Sequence, residues 1–146
     1  MGDQIFVISG KVRGAKQFVM CGFEIVEKID AREAYLIFPQ QRLRRLDNGE
    51  ITGNIIVNSD GSRNKLDNHR TFDTRLPNYL VGKENIAPTL PKEVAMGREQ
   101  TLDALREILQ KKGNSPIEIV GRWGSTLTEK QVQSLRDWLL SLRSIH

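Results

Sequence analysis

Two places along this chain combine residue types that can do chemistry. The first is Asp67-Asn68-His69-Arg70, where the single internal histidine lies in a polar segment that also carries Arg63 and Lys65. An imidazole there could serve as a general acid or base, as a ligand or as a phosphate contact. The plainer reading is a solvated surface histidine. The second place is Gly121-Arg122-Trp123-Gly124-Ser125-Thr126, between an apolar run and a helical pattern. Glycines allow close backbone approach, Arg122 brings charge, and the hydroxyls of Ser125 and Thr126 stand before a helix N-terminus, all useful to a phosphate. The segment lacks the spacing and the lysine of a nucleotide-binding P-loop, and it is not G-x-G-x-x-G, so a plain connector competes. Trp123 at its tip is expected either to be exposed or to fold over the last helix as core.

Arg42, Arg44 and Arg45 form a small basic cluster. In a helix Arg42 and Arg45 share a face; in a strand Arg42 and Arg44 do. Together with Arg63, Lys65 and Arg70 they are the expected phosphate contacts of a nucleic acid or other polyanionic partner. The competing role is a charged edge that discourages sheet aggregation. Basic residues do not alternate with aromatics in the way that base stacking uses.

Metal and cofactor chemistry finds little support. One cysteine and two histidines cannot assemble a Cys/His zinc site. Glu24 with Glu27, or Asp60 with Asp67 and Asp73, match no recognised ligand spacing. No cofactor is expected. Cys21, between Met20 and Gly22 in an apolar run, is expected to be a buried structural thiol.

The elements that must position these residues follow from the hydrophobic pattern. The 146 residues, 38% hydrophobic and 27% charged, have the composition of a soluble globular protein, and the length suits one domain. The net charge of +4 is spread, with no block of five or six like charges. No apolar run is long enough to span a membrane and no signal-peptide pattern opens the sequence, so a cytoplasmic, non-membrane protein is expected.

A period of two through the first third predicts strands over 5–12, 17–29 and 33–38, with a bulge or bend at Gly22. Pro39 opens a short helix over 40–46, unless the preceding strand runs on through Arg42. A strand over 51–57 leads into Asn58-Ser59-Asp60-Gly61, a hairpin signal, although 58–71 is polar enough to be a long loop. Residues 72–81 have strand texture broken by Pro77, and 82–98 read as a connector.

Leu102, Leu105, Ile108 and Leu109 mark a helix over 99–112, with Gly113 ending it and Glu107 paired to Lys111. A short strand over 117–120 follows. The last helix, 128–144, is the best specified. Thr128 and Gln131 form a capping box, Leu127 and Val132 a hydrophobic staple, and Val132, Leu135, Trp138, Leu139, Leu142 and Ile145 one apolar stripe.

The expected fold is α+β: an antiparallel sheet of five to six strands packed against two C-terminal amphipathic helices, in a single domain 1–146. Within it 1–81 is β-rich, 82–98 connects, and 99–146 is helix-strand-helix. The expected function is a small binding or regulatory module that recognises a nucleic acid or another polyanion. One alternative is a small enzyme for a phosphorylated or nucleotide substrate, with His69 as acid/base and Arg122, Ser125 and Thr126 holding phosphate. The other is a homo-oligomeric structural protein.

Overall fold

The computed structural model describes residues 2–143. Ser144 and Ile145, which the sequence reading adds to the last helix, and His146 lie outside the described residues. Along the chain run β1 (Gln4–Ile8), β2 (Val19–Ile29), α1 (Ala31–Ile37), a 3-10 turn (Pro39–Gln41), β3 (Arg44–Arg45), β4 (Ile51–Thr52), α2 (Phe72–Arg75), β5 (Tyr79–Ile86), α3 (Pro91–Leu109), α4 (Pro116–Val120) and α5 (Glu129–Arg143). The chain divides into two compact units: Ile25–Gly82, and Gly2–Glu24 together with the chain from Lys83 onward.

The protein is mixed α and β with antiparallel pairing, but the sheet is smaller than the five to six strands expected. A three-stranded sheet has the order β1-β2-β5, and β3 pairs with β4 in a separate two-stranded ribbon. β1 runs antiparallel to β2, and the register slips between Val7, which faces Cys21, and Ile8, which faces Val19. Met20 is therefore the extra residue of a bulge. Gly22 was expected to be that bulge; it is regular strand, and it is glycine because the Phe6 ring lies over it, 2.6 Å from where a Cβ would stand. Cys21, expected buried, is only half-buried, and desolvation pushes its thiol pKa up.

In the unit built from both ends of the chain, Val19 and Ile86 from the sheet join Leu105 and Leu109 of α3, Ile119 of α4, and Leu135, Leu139 and Leu142 of α5 in one core. α3 starts at Pro91, two turns before the predicted 99, so most of the expected connector is strand end and helix. The cause is a strong N-terminal signal: Pro91 occupies the first turn, and the Glu93 carboxylate accepts the amides of Thr89 at 2.8 Å and Leu90 at 3.0 Å. Those backbone bonds hold the Glu93 carboxyl below its ordinary range. At the other end Gln110, not Gly113, takes the left-handed conformation, with φ 53°. Lys111 thus lies past the helix, which removes the i,i+4 geometry expected with Glu107.

The expected strand over 117–120 is the helix α4. Ser115 caps it, accepting the Glu118 amide, and Pro116 opens it. The last helix follows its sequence closely. Thr128 Oγ1 accepts the Gln131 amide at 3.2 Å, and Gln131 Oε1 accepts the Thr128 amide at 2.9 Å. Leu135, Leu139 and Leu142 are buried and Trp138 is half-buried against them. Arg136, expected outside the stripe, is half-buried and donates to Gln4 Oε1 at 3.0 Å.

The unit Ile25–Gly82 has its own core of Ile29, Ala31, Ala34, Ile55, Ile56 and Val57, flanked by Phe38, Phe72 and Tyr79 among others. The expected strand over 33–38 is α1. Asp30 caps it by accepting the Arg32 amide at 2.8 Å, and Ala31 and Ala34 turn inward. The predicted helix over 40–46 shrinks to the 3-10 turn followed by β3. The predicted strand over 51–57 survives only as β4, because Gly53 has φ 90° and turns the chain. The strand texture of 72–81 resolves into α2 and the start of β5.

Gly53 also lies where a Cβ would press on backbone, 2.7 Å from the Gln41 carbonyl oxygen. Both positive φ and backbone contact oppose any side chain. Gly53→Ala is expected to lower unfolding free energy by about 2 kcal/mol in urea titration. A change below about 0.5 kcal/mol would show that the turn is not constrained as described.

Candidate functional site

The polar segment 58–71 is ordered by hydrogen bonds in place of apolar packing. Asn58 donates its amide to the Ser62 carbonyl at 2.8 Å, Val57 and Arg63 form a bridge, and Asn64 donates to the Ile56 carbonyl at 2.8 Å. The hairpin signal at Asn58-Gly61 thus produces a real turn, with Gly61 at φ 80°, closed by a single bridge.

Beyond it the chain folds around one carboxylate. The Asp67 side chain is 0% exposed. Its Oδ2 accepts from Arg63 Nε at 3.0 Å, and its Oδ1 meets His69 Nδ1 at 2.6 Å and the His69 amide at 3.3 Å. Arg63 continues outward, donating to the Asp67 carbonyl at 3.2 Å and to the His69 carbonyl, while its guanidinium lies 5.6 Å from the Phe72 ring centre. Burial works against the ionised Asp67 carboxyl. Hydrogen bonds from the His69 ring and amide, with the charges of Arg63 and His69, outweigh it and hold the group below the ordinary aspartate range. An ionised carboxylate only accepts, so the His69 proton facing it sits on Nδ1, and in the neutral form of the ring the lone pair is on Nε2. The His69 side chain is 50% exposed, and among the described residues no group bonds Nε2. The Asp67–His69 pairing was not foreseen. An Asp two residues before a His in a polar stretch carries no periodic signal, and only the turn at Asn64, which accepts the Leu66 amide through its side chain at 2.9 Å, brings the two together.

Of the basic residues predicted as phosphate contacts, Arg42, Arg44, Arg45, Arg63, Lys65 and Arg70 belong to this same unit but are not equally available, and Arg122 belongs to the other. Arg42 donates to the Tyr35 carbonyl at 2.9 Å and stacks 3.9 Å above the Tyr35 ring centre. Arg45 donates to the Gly49 carbonyl at 2.9 Å, and Arg63 serves Asp67. Arg44, Lys65 and Arg70 are exposed and make no ion pair among the described residues.

The Gly121–Thr126 turn belongs to the other unit and uses some of its own donors. The Gly121 amide goes to the Ile117 carbonyl at 2.8 Å, the Gly124 amide to the Gly121 carbonyl at 3.1 Å, and the Ser125 hydroxyl to the Val120 carbonyl. With Thr128 and Gln131 capping each other, two of the amides at the start of α5, those of Thr128 and Gln131, are engaged within the chain. Arg122 lies 5.5 Å from the Trp123 ring centre, and Trp123 is 91% exposed.

The turn borders an open groove of about 1110 Å³. Phe6, Ile8, Leu105, Leu109 and Leu135 wall it, and Arg122, Ser125 and Thr126 stand among its lining. The rim charges balance: Asp3 and Glu129 against Lys11 and Arg122. Sequence reasoning placed the turn but missed the groove, whose walls come from segments about a hundred residues apart in sequence. Among the described residues no group of three or more His, Cys, Asp or Glu is placed to hold a metal ion. Nor is any helix among them long and apolar enough to cross a membrane.

The depressed Asp67 value fixes the sign of a pH effect. Its stabilisation is complete above the unfolded aspartate value, about 3.9, and is lost as pH falls through the lower folded value. Amide exchange at Leu66 and His69, followed from about pH 6 to about pH 2, should stay protected until the acid end and then collapse. In Asp67→Asn that acid step should vanish. Comparison with family models, with curated proteins and with solved structures finds no match to this chain.

Proposed function

We propose that the protein is a binding module and that the groove beside Gly121–Thr126 is where it binds. The carrying observation is the groove itself: about 1110 Å³ of open space with aliphatic and aromatic walls and balanced charge at the mouth. Small-molecule sites span roughly 300–1,000 Å³ and are mostly apolar with a few polar groups that orient the ligand. At about 1110 Å³ this groove lies just above that range, so an elongated ligand with an apolar body suits it. Removal of apolar surface from water supplies roughly 25 cal/mol per Å² and would drive binding. Arg122, steadied on Trp123, and Thr126 are the groups left to meet a polar end.

The neutral dye N-phenyl-1-naphthylamine tests this. It should brighten on titration with the protein, and Ile117→Trp, which fills the wall, should abolish the signal while leaving the circular dichroism unchanged. Undiminished dye binding by a folded Ile117→Trp protein would remove the groove as the site.

Exposed Arg44, Lys65 and Arg70 favour a second reading, in which the unit Ile25–Gly82 holds a polyanion. Three such contacts imply a shallow salt dependence, a slope of about −2 to −3 in log K against log salt. Labelled RNA and DNA titrated at two salt concentrations should show that slope; no binding at low salt removes this branch. The enzyme reading that joins His69 to Arg122, Ser125 and Thr126 draws its residues from both units, and no geometric observation supports it.

A further inference from the structure

His69 combines three properties. Its ring is fixed, with Nδ1 held 2.6 Å from Asp67 Oδ1 and its own amide bonded to the same oxygen at 3.3 Å. Its proton is assigned to Nδ1 by an acceptor-only carboxylate whose side chain is 0% exposed. Its Nε2 lone pair is left without a partner among the described residues, on a side chain that is 50% exposed. When Nε2 of an imidazole forms a new bond the ring becomes positive, and a carboxylate at Nδ1 stabilises that charge as it develops. Arg63 shares the carboxylate, with its Nε on the other oxygen of Asp67 and its Nη2 on the Asp67 and His69 carbonyls, so its charge offsets part of this stabilisation while Oδ1 stays with the imidazole.

The same loop carries Lys65 and Arg70, exposed and outside any ion pair among the described residues and within four residues of His69 in sequence, and such cations suit an anionic electrophile. We propose that His69 is a phosphoryl-acceptor histidine, taking a phosphoryl group at Nε2 from a small donor of the phosphoramidate class. In that step the Nε2 lone pair forms the N–P bond. The P–N bond of the zwitterionic donor breaks, and its electron pair leaves with nitrogen as ammonia. The Nδ1 proton stays between the ring and Asp67, and nothing is oxidised or reduced. All the groups involved belong to the unit Ile25–Gly82, so the assignment is independent of the groove.

The full chain incubated with potassium phosphoramidate, with N-acetylhistidine as the reference, tests it. Phosphorus NMR and peptide mass spectrometry should place the label on His69 Nε2, formed about tenfold faster than on the reference. Asp67→Asn should return the rate to the reference. Nitrogen-15 NMR of the wild-type ring should show the proton on Nδ1, a readout that stands even if the variant fails to fold. Lys65→Ala with Arg70→Ala should slow phosphorylation while leaving acylation by neutral diethyl pyrocarbonate unchanged. A wild-type rate no faster than N-acetylhistidine, or a proton on Nε2, overturns the reactive imidazole. An unchanged phosphorylation rate in the Lys65/Arg70 variant overturns the phosphoryl assignment.

Discussion

The amide of Val19 is the constraint around which the larger unit is arranged. Val19 is completely buried at the point where the β1–β2 register slips, so the bulge leaves its N–H without a ladder partner and beyond the reach of water. Such a group must find an acceptor. Thr101 supplies it at 3.1 Å, and its own hydroxyl proton goes to the Gly97 carbonyl at 2.7 Å, one turn back along α3. This relay of hydrogen bonds fixes both the height and the rotation of α3 against β2. Gly97 adds a steric condition, because a Cβ there would lie 3.3 Å from Phe18 and 3.6 Å from Leu142. With α3 so placed, Leu105 and Leu109 face α4 and α5, and the groove is the space left between these helices and β1.

The smaller unit meets a related problem with charge. Segment 58–71 has few apolar residues to bury, and Asp67 acts in their place as a centre that collects Arg63 and His69. A buried carboxylate is costly unless its oxygens are satisfied, and here each has a partner. Among the described residues no buried side-chain nitrogen or oxygen lacks a hydrogen bond. The same bonds that order the loop leave the imidazole with one nitrogen committed and one open.

What the sequence revealed depended on whether the deciding signal was local and whether it competed with another. Thr128 and Gln131 stand before a long apolar stripe, so cap and period agree and α5 is legible over its described residues, Glu129–Arg143. Ser115-Pro116-Ile117-Glu118 and Asp30-Ala31-Arg32-Glu33 carry comparable start signals. They were overridden by the β-branched run after Pro116 and by the alternation that continues to Phe38, yet the caps prevailed in the structure. Pro91 with Glu93 was read as connector because prolines dominated the stretch. The residues of the polar loop stand out in the sequence by type. Their geometry was not legible, because an Asp reaching a His two residues on depends on turns that polar sequence does not specify. The groove was beyond reach for a different reason: no single segment contains it.

The division of the chain has a consequence for its synthesis. The unit Ile25–Gly82 is continuous, whereas its neighbour is made from Gly2–Glu24 and the chain from Lys83 onward. A ribosome therefore completes the interior unit while the other still consists of one hairpin with nothing to cover it. The Val19 amide is emitted about eighty residues before Thr101, the group that satisfies it. The discontinuous unit can close only when its second half arrives, after the continuous one has been synthesised in full. Along the sequence the continuous unit is flanked by the two parts of the other, and the divisions fall within β2 and β5.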